Sequence, residues 1–327
     1  MSSLLDQVVS VGIESSFNSA ETSTVRSYEA KADTFQRDVE YIQSIGFRRD
    51  LMTIRSDRDD TISLGATGSI ELDVMDKGLG LLLQNALGTA TGPVQQGATA
   101  AYLQTHATSD SLPTGSYSVQ VSRVDNTGTL RTFTYEGSQI TGWNVSQDLG
   151  AATSMTFNFD SENEQTTTGE ATPAYVSSTD PYVFTEAAIE IDDSAITSFT
   201  SFSLDADLGA KTDRRFIQGS ATKGQPKRSS VPMYTGTIDG EFASLTQYAA
   251  FVAGTTFKLE FICTKGTAIA GAYYPFFHVT MPVCKWTGST PVASLDDLTT
   301  ISLPFTVLDN GSDAAVTITY QSTDTAY

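Results

Sequence analysis

Two short segments in different halves of the chain share one alternation of apolar and acidic positions. Residues 67–74 read TGSIELDV, and residues 235–242 read TGTIDGEF. Because side chains alternate between the two faces of a β-strand, each segment predicts a strand with one apolar and one acidic face. The acidic positions are Glu71, Asp73, Asp239 and Glu241.

The elements around the two segments also repeat. An apolar helical pattern follows each segment, over 77–88 and over 243–254, and each ends in a glycine that is a plausible C-terminal cap. Residues 89–114 are rich in Ala, Thr and Gly without clear periodicity and predict a surface loop. Other strands are predicted near 24–36, 115–124, 129–137, 139–147, 153–160, 182–191, 197–207, 255–263, 274–286, 298–308 and 314–320.

This order of elements predicts an all-β fold with minor α content. We expect a duplicated β-domain, with each copy flanked by one short helix and carrying one long loop. The segment 161–181 has the composition of a linker. The predicted organisation is an N-terminal arm at 1–23, a first β-domain at 24–160, the linker at 161–181 and a second β-domain at 182–327.

Charge is segregated along the chain. The formal net charge is −19, which argues against general binding to nucleic-acid phosphates. Ten of the 19 basic residues nevertheless lie in the two long loops, 44–60 and 209–230. They are Arg48, Arg49, Arg55, Arg58, Lys211, Arg214, Arg215, Lys223, Lys227 and Arg228.

Both charged features have a plain interpretation and a functional one. The acidic strands are either the solvated face of a sandwich or an acidic lining that repeats around a ring. The basic loops are either ordinary solvated loops or docking elements for an acidic neighbour. Contact with nucleic acid is a third interpretation of the loops, which their scarcity of interleaved aromatic residues disfavours.

Candidate residues for chemistry are few. His106 and His278 are far apart and have no partner at metal-ligand spacing. Cys263 and Cys284 are too few for a disulfide framework, which favours a reduced, cytoplasmic site of synthesis. The first residues do not resemble a secretory signal, and no apolar run is long enough for a membrane span. We therefore expect no enzyme activity, no cofactor, no metal and no membrane contact.

An ordered series of motifs in the first half resembles the tail tube proteins of long-tailed, siphovirus-like bacteriophages. The series covers residues 11–160, and the internal repeat extends the resemblance more loosely to the second half. One departure is ESSFNS at 14–19, where the family commonly has E-x-x-F-G-T. The segments that carry the resemblance are VGIESSFNS (11–19), TVRSYEAKADTFQRDVEYIQSIGFRRD (24–50), IRSDR (54–58), GATGSIELDVMDKGLGLLLQNALG (65–88) and SYSVQVSRVDNTGTLRTFTYEGSQITGWNVS (116–146).

The resemblance implies that each copy is a β-sandwich or barrel with a flanking helix. It also implies a virion protein, assembled in the host cytoplasm, that polymerises into stacked rings. In that family the inner sheets of neighbouring subunits form one tube around a tape measure protein, and genome DNA passes down the lumen during ejection. Tail terminator and distal tail proteins are then further partners. The duplication implies a trimeric ring with pseudo-sixfold symmetry; a hexamer in which only one half lines the lumen is the alternative.

The resemblance also suggests roles for the charged residues. Glu71, Asp73, Asp239 and Glu241 would line the lumen. The residues that would dock one ring on the next are Arg48, Arg49, Arg55, Arg58, Arg214, Arg215, Lys227 and Arg228.

Other functions remain open at this point. A distal tail or baseplate ring protein is one alternative. A carbohydrate-binding module is another, and it would need aromatic side chains exposed on one sheet face. Trp143 and Trp286 lie in alternating strand patterns, which predicts that they pack in the core instead.

Overall fold

The computed structural model describes residues 6–46, 49–50, 53, 55–113, 115–217, 219–288, 290–293, 295 and 298–327. In the first half the elements are β1 (Val8–Ile13), β2 (Val25–Tyr28), β3 (Ala30–Asp33), β4 (Gln36–Gln43), β5 (Asp59–Asp73), α1 (Gly80–Leu87), β6 (Gly88–Gln95), β7 (Tyr102–Thr108), β8 (Tyr117–Val124), β9 (Leu130–Asp148), β10 (Ser154–Ser161) and β11 (Asn163–Gln165). In the second half they are β12 (Ala187–Ile191), β13 (Ser194–Ala195), β14 (Phe199–Asp207), β15 (Ala210–Lys211), β16 (Lys227–Arg228), β17 (Met233–Glu241), α2 (Thr246–Ala253), β18 (Thr256–Thr264), β19 (Phe276–Trp286), β20 (Thr300–Val307) and β21 (Thr317–Ser322). The fold is all-β with two short helices, as the sequence predicts.

One antiparallel sheet runs through both halves of the chain. We call it the shared sheet; its strands lie in the order β3/β4, β5, β10, β9, β14, β17, β20 and β19. The join between the halves, which we call the seam, is the pairing of β9 with β14 from Gly142↔Asp207 to Asp148↔Ser201. The two halves therefore share one continuous sheet.

The long strand β9 belongs to two layers. Its first part pairs with β8 and β11, and its second part pairs with β10 and β14. Gly137, with a φ of 63°, lies between these parts, and a left-handed conformation is one that glycine adopts without steric cost. One strand therefore contributes to both layers of the first half.

The second half repeats the first in strand register. Gly68 lies opposite Phe159, and Gly236 lies opposite Phe305. The pairing with β5 is irregular between Ala30 and Ala32, and the pairing of β14 with β17 is irregular at the matching place. β3/β4, β5, β10 and β9 are thus the counterparts of β14, β17, β20 and β19.

Strand β1 lies inside the segment predicted as an N-terminal arm. It pairs with β2 on one side and with β8 on the other, and Val11 is fully buried. β12 pairs with β18 as β1 pairs with β8, so β1 fits the repeat. The division into domains at 24–160 and 182–327 remains a prediction.

The predicted surface loop at 89–114 is wrong over most of its length. It contains β6 and β7, and β7 pairs with β21 from the other half. Gln104 and His106 point into the interior and are fully buried. Because inward positions of β7 hold polar side chains, the sequence of this strand lacks a clear apolar–polar alternation. Its partner β21 is also more than 200 residues away in the sequence.

The segment 161–181, predicted as a linker, is attached to the first half. It contains β11, and the Gln120 side chain accepts a hydrogen bond from the Ala171 N–H (2.6 Å) and donates to the Gly169 carbonyl (3.0 Å). The predicted strands 129–137 and 139–147 form one strand, β9.

Both helices end where the sequence predicts. Gly88 has a φ of 98° and Gly254 a φ of 66°, so each glycine supplies the conformation that terminates the helix. Within the described part of the chain, neither helix is long and apolar enough to cross a membrane.

Aromatic side chains fill the cores of both halves. Trp143 and Trp286 are buried, as predicted. Phe202 stacks on Phe261 with a centroid distance of 4.6 Å, and Trp286 stacks on Phe257 at 4.2 Å. Both halves of the chain thus contribute buried aromatic side chains to the core.

The glycine of each TG repeat is expected to be essential for packing. A Cβ on Gly68 would overlap the ring of Phe35, and one on Gly236 would overlap Phe305 and the Ser203 carbonyl. Gly68→Ala and Gly236→Ala should each lower the free energy of unfolding by about 1–3 kcal/mol. Urea denaturation measures this, with Gly266→Ala as the control because nothing lies within 4 Å of its Cβ position. Equal stability of all three variants would contradict the close approach.

Candidate functional site

The two acidic strands present their carboxylates on the same face of the shared sheet. Following the cross-strand partners from Glu71 leads to Thr156, Asn144, Asp205 and Thr235. Alternate residues of a strand share a face, so the acids of β5 and those of β17 point to one side. Ile70, Leu72 and Ile238 point to the opposite side and are buried in the core.

This acidic face is larger than the repeated segments suggest. Asp205 accepts a hydrogen bond from the Asn144 side chain (2.7 Å), and Asp239 accepts one from Ser201 (3.1 Å). Lys31 forms an ion pair with Asp73. The strand register adds further acids to this face that the sequence analysis missed: Asp38, Glu40, Asp148, Asp160, Asp205 and Asp207. The alternation S-x-S-x-D-x-D over 201–207 is the sequence signal that could have found two of them.

The second basic loop is folded back on the first half of its own chain. Arg215 donates to Ser63 Oγ and to the Leu64 carbonyl, and Arg228 donates to the Ser109 carbonyl (2.6 Å). Lys223 forms a buried ion pair with Asp160. These three cations therefore have partners within the chain. Arg214 donates to the Gln225 carbonyl (2.5 Å) from within the loop, and Lys227 lies on β16.

The first basic loop is less engaged. Arg55 pairs with Asp57, while Arg49 is almost fully exposed and lies 3.9 Å from the exposed carboxylate of Asp50. The Arg58 carbonyl accepts from the Ser44 N–H (3.1 Å). Arg48 lies outside the described residues. A docking role for these residues and for the second loop remains a prediction.

The pair Lys223–Asp160 fixes the second loop. Burial raises the pKa of Asp160 to about 6, and the ion pair with Lys223 opposes that rise. The Leu64 N–H also donates to the Ala221 carbonyl (2.9 Å), so backbone and side chain hold the loop together on β5. The loop covers one end of the acidic face.

Apolar side chains are exposed at both ends of the shared sheet. The end that carries the two long loops, which we call the loop end, exposes Tyr41 and Ile42, neighbours on opposite faces of β4. The opposite end, which we call the turn end, exposes Leu149 and Leu295, each in or beside the turn that precedes β10 or β20. Additional exposed apolar residues are Ile45, Ile62, Phe216, Ile217, Val231 and Met233 at the loop end, and Leu245 and Leu298 at the turn end.

At each end of the shared sheet, one segment is paired on one side alone in the described part of the chain. These segments are β3/β4 and the residues that follow β19, while β19 itself pairs with both β18 and β20. β3 and β4 pair with β5. At the other edge the chain continues past β19: the Thr287 N–H donates to the Pro304 carbonyl, and Val292 bridges to Thr300. Open edges of this kind are templates for further strand pairing.

Both histidines have hydrogen-bond partners within the chain, and both cysteines are buried. His106 hydrogen-bonds Gln104 (3.2 Å), and burial lowers its pKa to about 4. His278 hydrogen-bonds Glu260 (3.0 Å). Cys263 and Cys284 are free and buried, and burial raises the pKa of each thiol to about 12. Among the described residues there is no cluster of three metal-ligating side chains.

The fold and its surfaces define an all-β protein whose open sheet edges are suited to assembly. Comparison with protein families gives the specific assignment: residues 5–307 match the family described as phage tail tube protein. No curated protein matches the chain. Because the family match spans most of its length, the chain belongs to the phage tail tube protein family, as the resemblance in the first half predicts.

Loss of the buried cation should release the second loop. Lys223→Met leaves Asp160 buried without its partner, which should cost about 3–5 kcal/mol of unfolding free energy. Because burial raises the pKa of the Asp160 carboxyl above its unfolded value of about 4, the folded state holds the proton more tightly. The variant's stability should therefore fall as pH rises from about 4 to the folded pKa, and it should level off above that pKa.

Chemical denaturation at pH 5 and pH 8 measures both effects. Lys211→Met is the matched control, since Lys211 lies in the same loop with an exposed side chain. The double variant Lys223→Met/Asp160→Asn should recover most of the loss. Equal stability of the Lys223 and Lys211 variants would contradict the structural role of the pair.

Proposed function

We propose that this chain is the wall subunit of a phage tail tube and that it polymerises into stacked rings. The observation that carries the proposal is the position of both acidic strands on one face of a single sheet with two open edges. A sheet of this kind continues from chain to chain and closes into a barrel when each open edge finds a partner.

The acidic face is proposed to line the lumen. Duplex DNA carries about one negative charge per 1.7 Å of its axis, so a wall of carboxylates repels it and prevents binding during passage. Asp239 and Glu241 are exposed, and Glu71 and Asp73 are half-buried. The genome is thus a passing cargo and not a ligand.

We propose a ring of three chains with pseudo-sixfold symmetry. Each chain supplies two equivalent sets of four strand positions, and the seam joins both sets in one sheet. The shared face argues against a hexamer in which only one half lines the lumen, because there the second half would have to leave the sheet that it forms with the first.

Ring stacking is proposed to join the loop end of one ring to the turn end of the next. Each end exposes apolar side chains that contact with a second ring would bury. Arg49, Arg55 and Arg58 are the remaining docking candidates in the described part of the first loop. Arg215 and Arg228 are weaker candidates than the sequence suggests, because they hold the second loop on their own chain.

The other partners follow from family membership. A tape measure protein inside the tube and tail terminator and distal tail proteins at its ends are proposed partners, and the virion tail is the proposed location. A distal tail or baseplate ring remains the alternative within the same class, and copy number in the particle separates the two. The burial of Trp143 and Trp286 disfavours a carbohydrate-binding module.

Charge reversal on the lumen face should impair DNA delivery without preventing assembly. We expect phage particles with Glu71→Lys, Asp239→Lys and Glu241→Lys in every ring to have normal tubes but to eject DNA at least tenfold less efficiently, because DNA binds the cationic wall. Asp73 is left unchanged because it pairs with Lys31.

The matched control carries three reversals at exposed acids outside that face, Glu29, Asp110 and Glu170. DNA release from purified particles, triggered and followed by a dye, gives the measurement. Normal release by the lumen-face variant would refute the acidic-lumen role.

Polar substitution at the loop end should block tube growth. Tyr41→Ser/Ile42→Ser removes apolar surface that is exposed in one chain and would be buried between rings, so we expect single rings and tubes at least tenfold shorter. Val94→Ser is the control, because Val94 is exposed on β6, which is not a strand of the shared sheet. Length distributions from electron microscopy decide, and tubes of normal length would remove this end from the stacking contact.

A further inference from the structure

The seam inside the chain provides a template for the contact between chains. β14 is one side of the seam, and its counterpart in the first repeat is the β3/β4 edge. β9 is the other side, and its counterpart is β19 with the residues that follow it. The two open edges of the shared sheet are therefore the two halves of a second seam that a single chain cannot close.

We infer that a second copy of this chain joins at these edges in one defined register, with Phe35 of one chain opposite Pro291 of its neighbour. This inference rests on the proposed function, and it specifies which atoms meet and not only that chains associate. The register follows from matching the cross-strand residue pairs of the first half with those of the second half, one strand at a time.

The register is fixed by two correspondences. Gln36 pairs with Thr67 as Asp205 pairs with Thr235, so Gln36 is the counterpart of Asp205. Thr300 pairs with Val292 as Ser154 pairs with Ser146, so Thr290 is the counterpart of Asn144.

Within the seam Asp205 lies opposite Asn144, and their side chains share a hydrogen bond of 2.7 Å. Gln36 of one chain should therefore lie opposite Thr290 of the next. Phe35 and Pro291, one residue further along each strand, are then opposite each other.

The backbone orientation of both edges agrees with this register. The Thr34 N–H donates to the Ser69 carbonyl, so the backbone N–H and carbonyl of Thr34 face β5. The backbone N–H and carbonyl of Phe35 therefore face outward from the sheet edge. Val292 exchanges backbone hydrogen bonds with Thr300, so the backbone N–H and carbonyl of Val292 face β20. The backbone carbonyl of Pro291 therefore faces outward from the sheet edge. The backbone groups of Phe35 and Pro291 thus both point toward the edge of the neighbouring chain, as a hydrogen-bonded antiparallel pair requires.

One mismatch in hydrogen bonding disappears in this register. Proline has no N–H, so Pro291 cannot donate to the residue opposite it. The Phe35 carbonyl, which would need that donor, already accepts from the Arg123 guanidinium (3.0 Å) and from the Tyr135 hydroxyl (3.4 Å) of its own chain. The missing donor and the occupied acceptor fall at the same position, and a shift of two residues would leave the Phe35 carbonyl facing a surplus N–H.

A disulfide tests the register directly. Gln36 and Thr290 would form a non-hydrogen-bonded pair, with Cα atoms about 4.5 Å apart, close enough for a disulfide. Gln36→Cys/Thr290→Cys should give disulfide-linked oligomers under mild oxidation of assembled rings, with more than half of the chains cross-linked. The native cysteines are buried and should not contribute.

Three matched variants make the result decisive. Asn144→Cys/Asp205→Cys, at the same position of the internal seam, should form its disulfide within one chain. Gln36→Cys/Val292→Cys, shifted by two residues, should cross-link at least tenfold less, and each single cysteine should give no ladder.

Rings that form but cross-link better through the shifted pair would overturn the register while leaving the proposed function intact. Rings that form without either cross-link would overturn the use of these edges. Failure of the unsubstituted protein to form any ring or tube would overturn the proposed function and this inference together.

Discussion

The backbone ladder between β9 and β14 is the constraint on which the rest of the structure depends. It is a set of antiparallel pairs between residues of different halves, and it turns two sandwiches into one wall. Without it the acidic strands β5 and β17 would not belong to one sheet. With it their carboxylates lie on one side of a continuous surface, and the polar groups of two potential edges are satisfied inside the molecule.

The basic loop of the second half supports this arrangement. Lys223 reaches across the seam to Asp160 on β10, and Arg215 reaches Ser63 on β5. A buried ion pair contributes little net stability once the cost of removing both charges from water is counted. Its consequence is positional: the loop of one half is fixed over the other half, and the loop end of the wall acquires a defined shape.

Local patterns in the sequence predicted local structure well. Alternation predicted the strands around Ile70 and Ile238, and the capping glycines Gly88 and Gly254 marked both helix ends. The internal repeat predicted that the halves share one plan, and Gly68 and Gly236 show the physical reason: at matching positions only a hydrogen atom fits against an aromatic ring. The family assignment followed from the same motifs in order.

Contacts between distant parts of the chain could not be predicted in this way. Nothing in the sequence of β9 indicates that it pairs with β14, and β7 has inward polar residues whose partner strand lies near the other end of the chain. Lys223 lies in a charged loop, and such a composition predicts exposure to solvent. The fold instead buries Lys223 in an ion pair with Asp160. For the same reason the sequence indicated four acids on this face, while the register of the sheet adds others such as Asp205 and Asp207.

The central claim is that both halves of every chain form one wall with a single acidic face. A reconstruction of the assembled tube by electron cryomicroscopy at a resolution that separates strands tests it most directly. The account predicts three chains per ring, with β5 and β17 both in the inner wall and their carboxylates directed at the lumen. Six chains per ring, with β14, β17 and β20 on the outside of the tube, would contradict it.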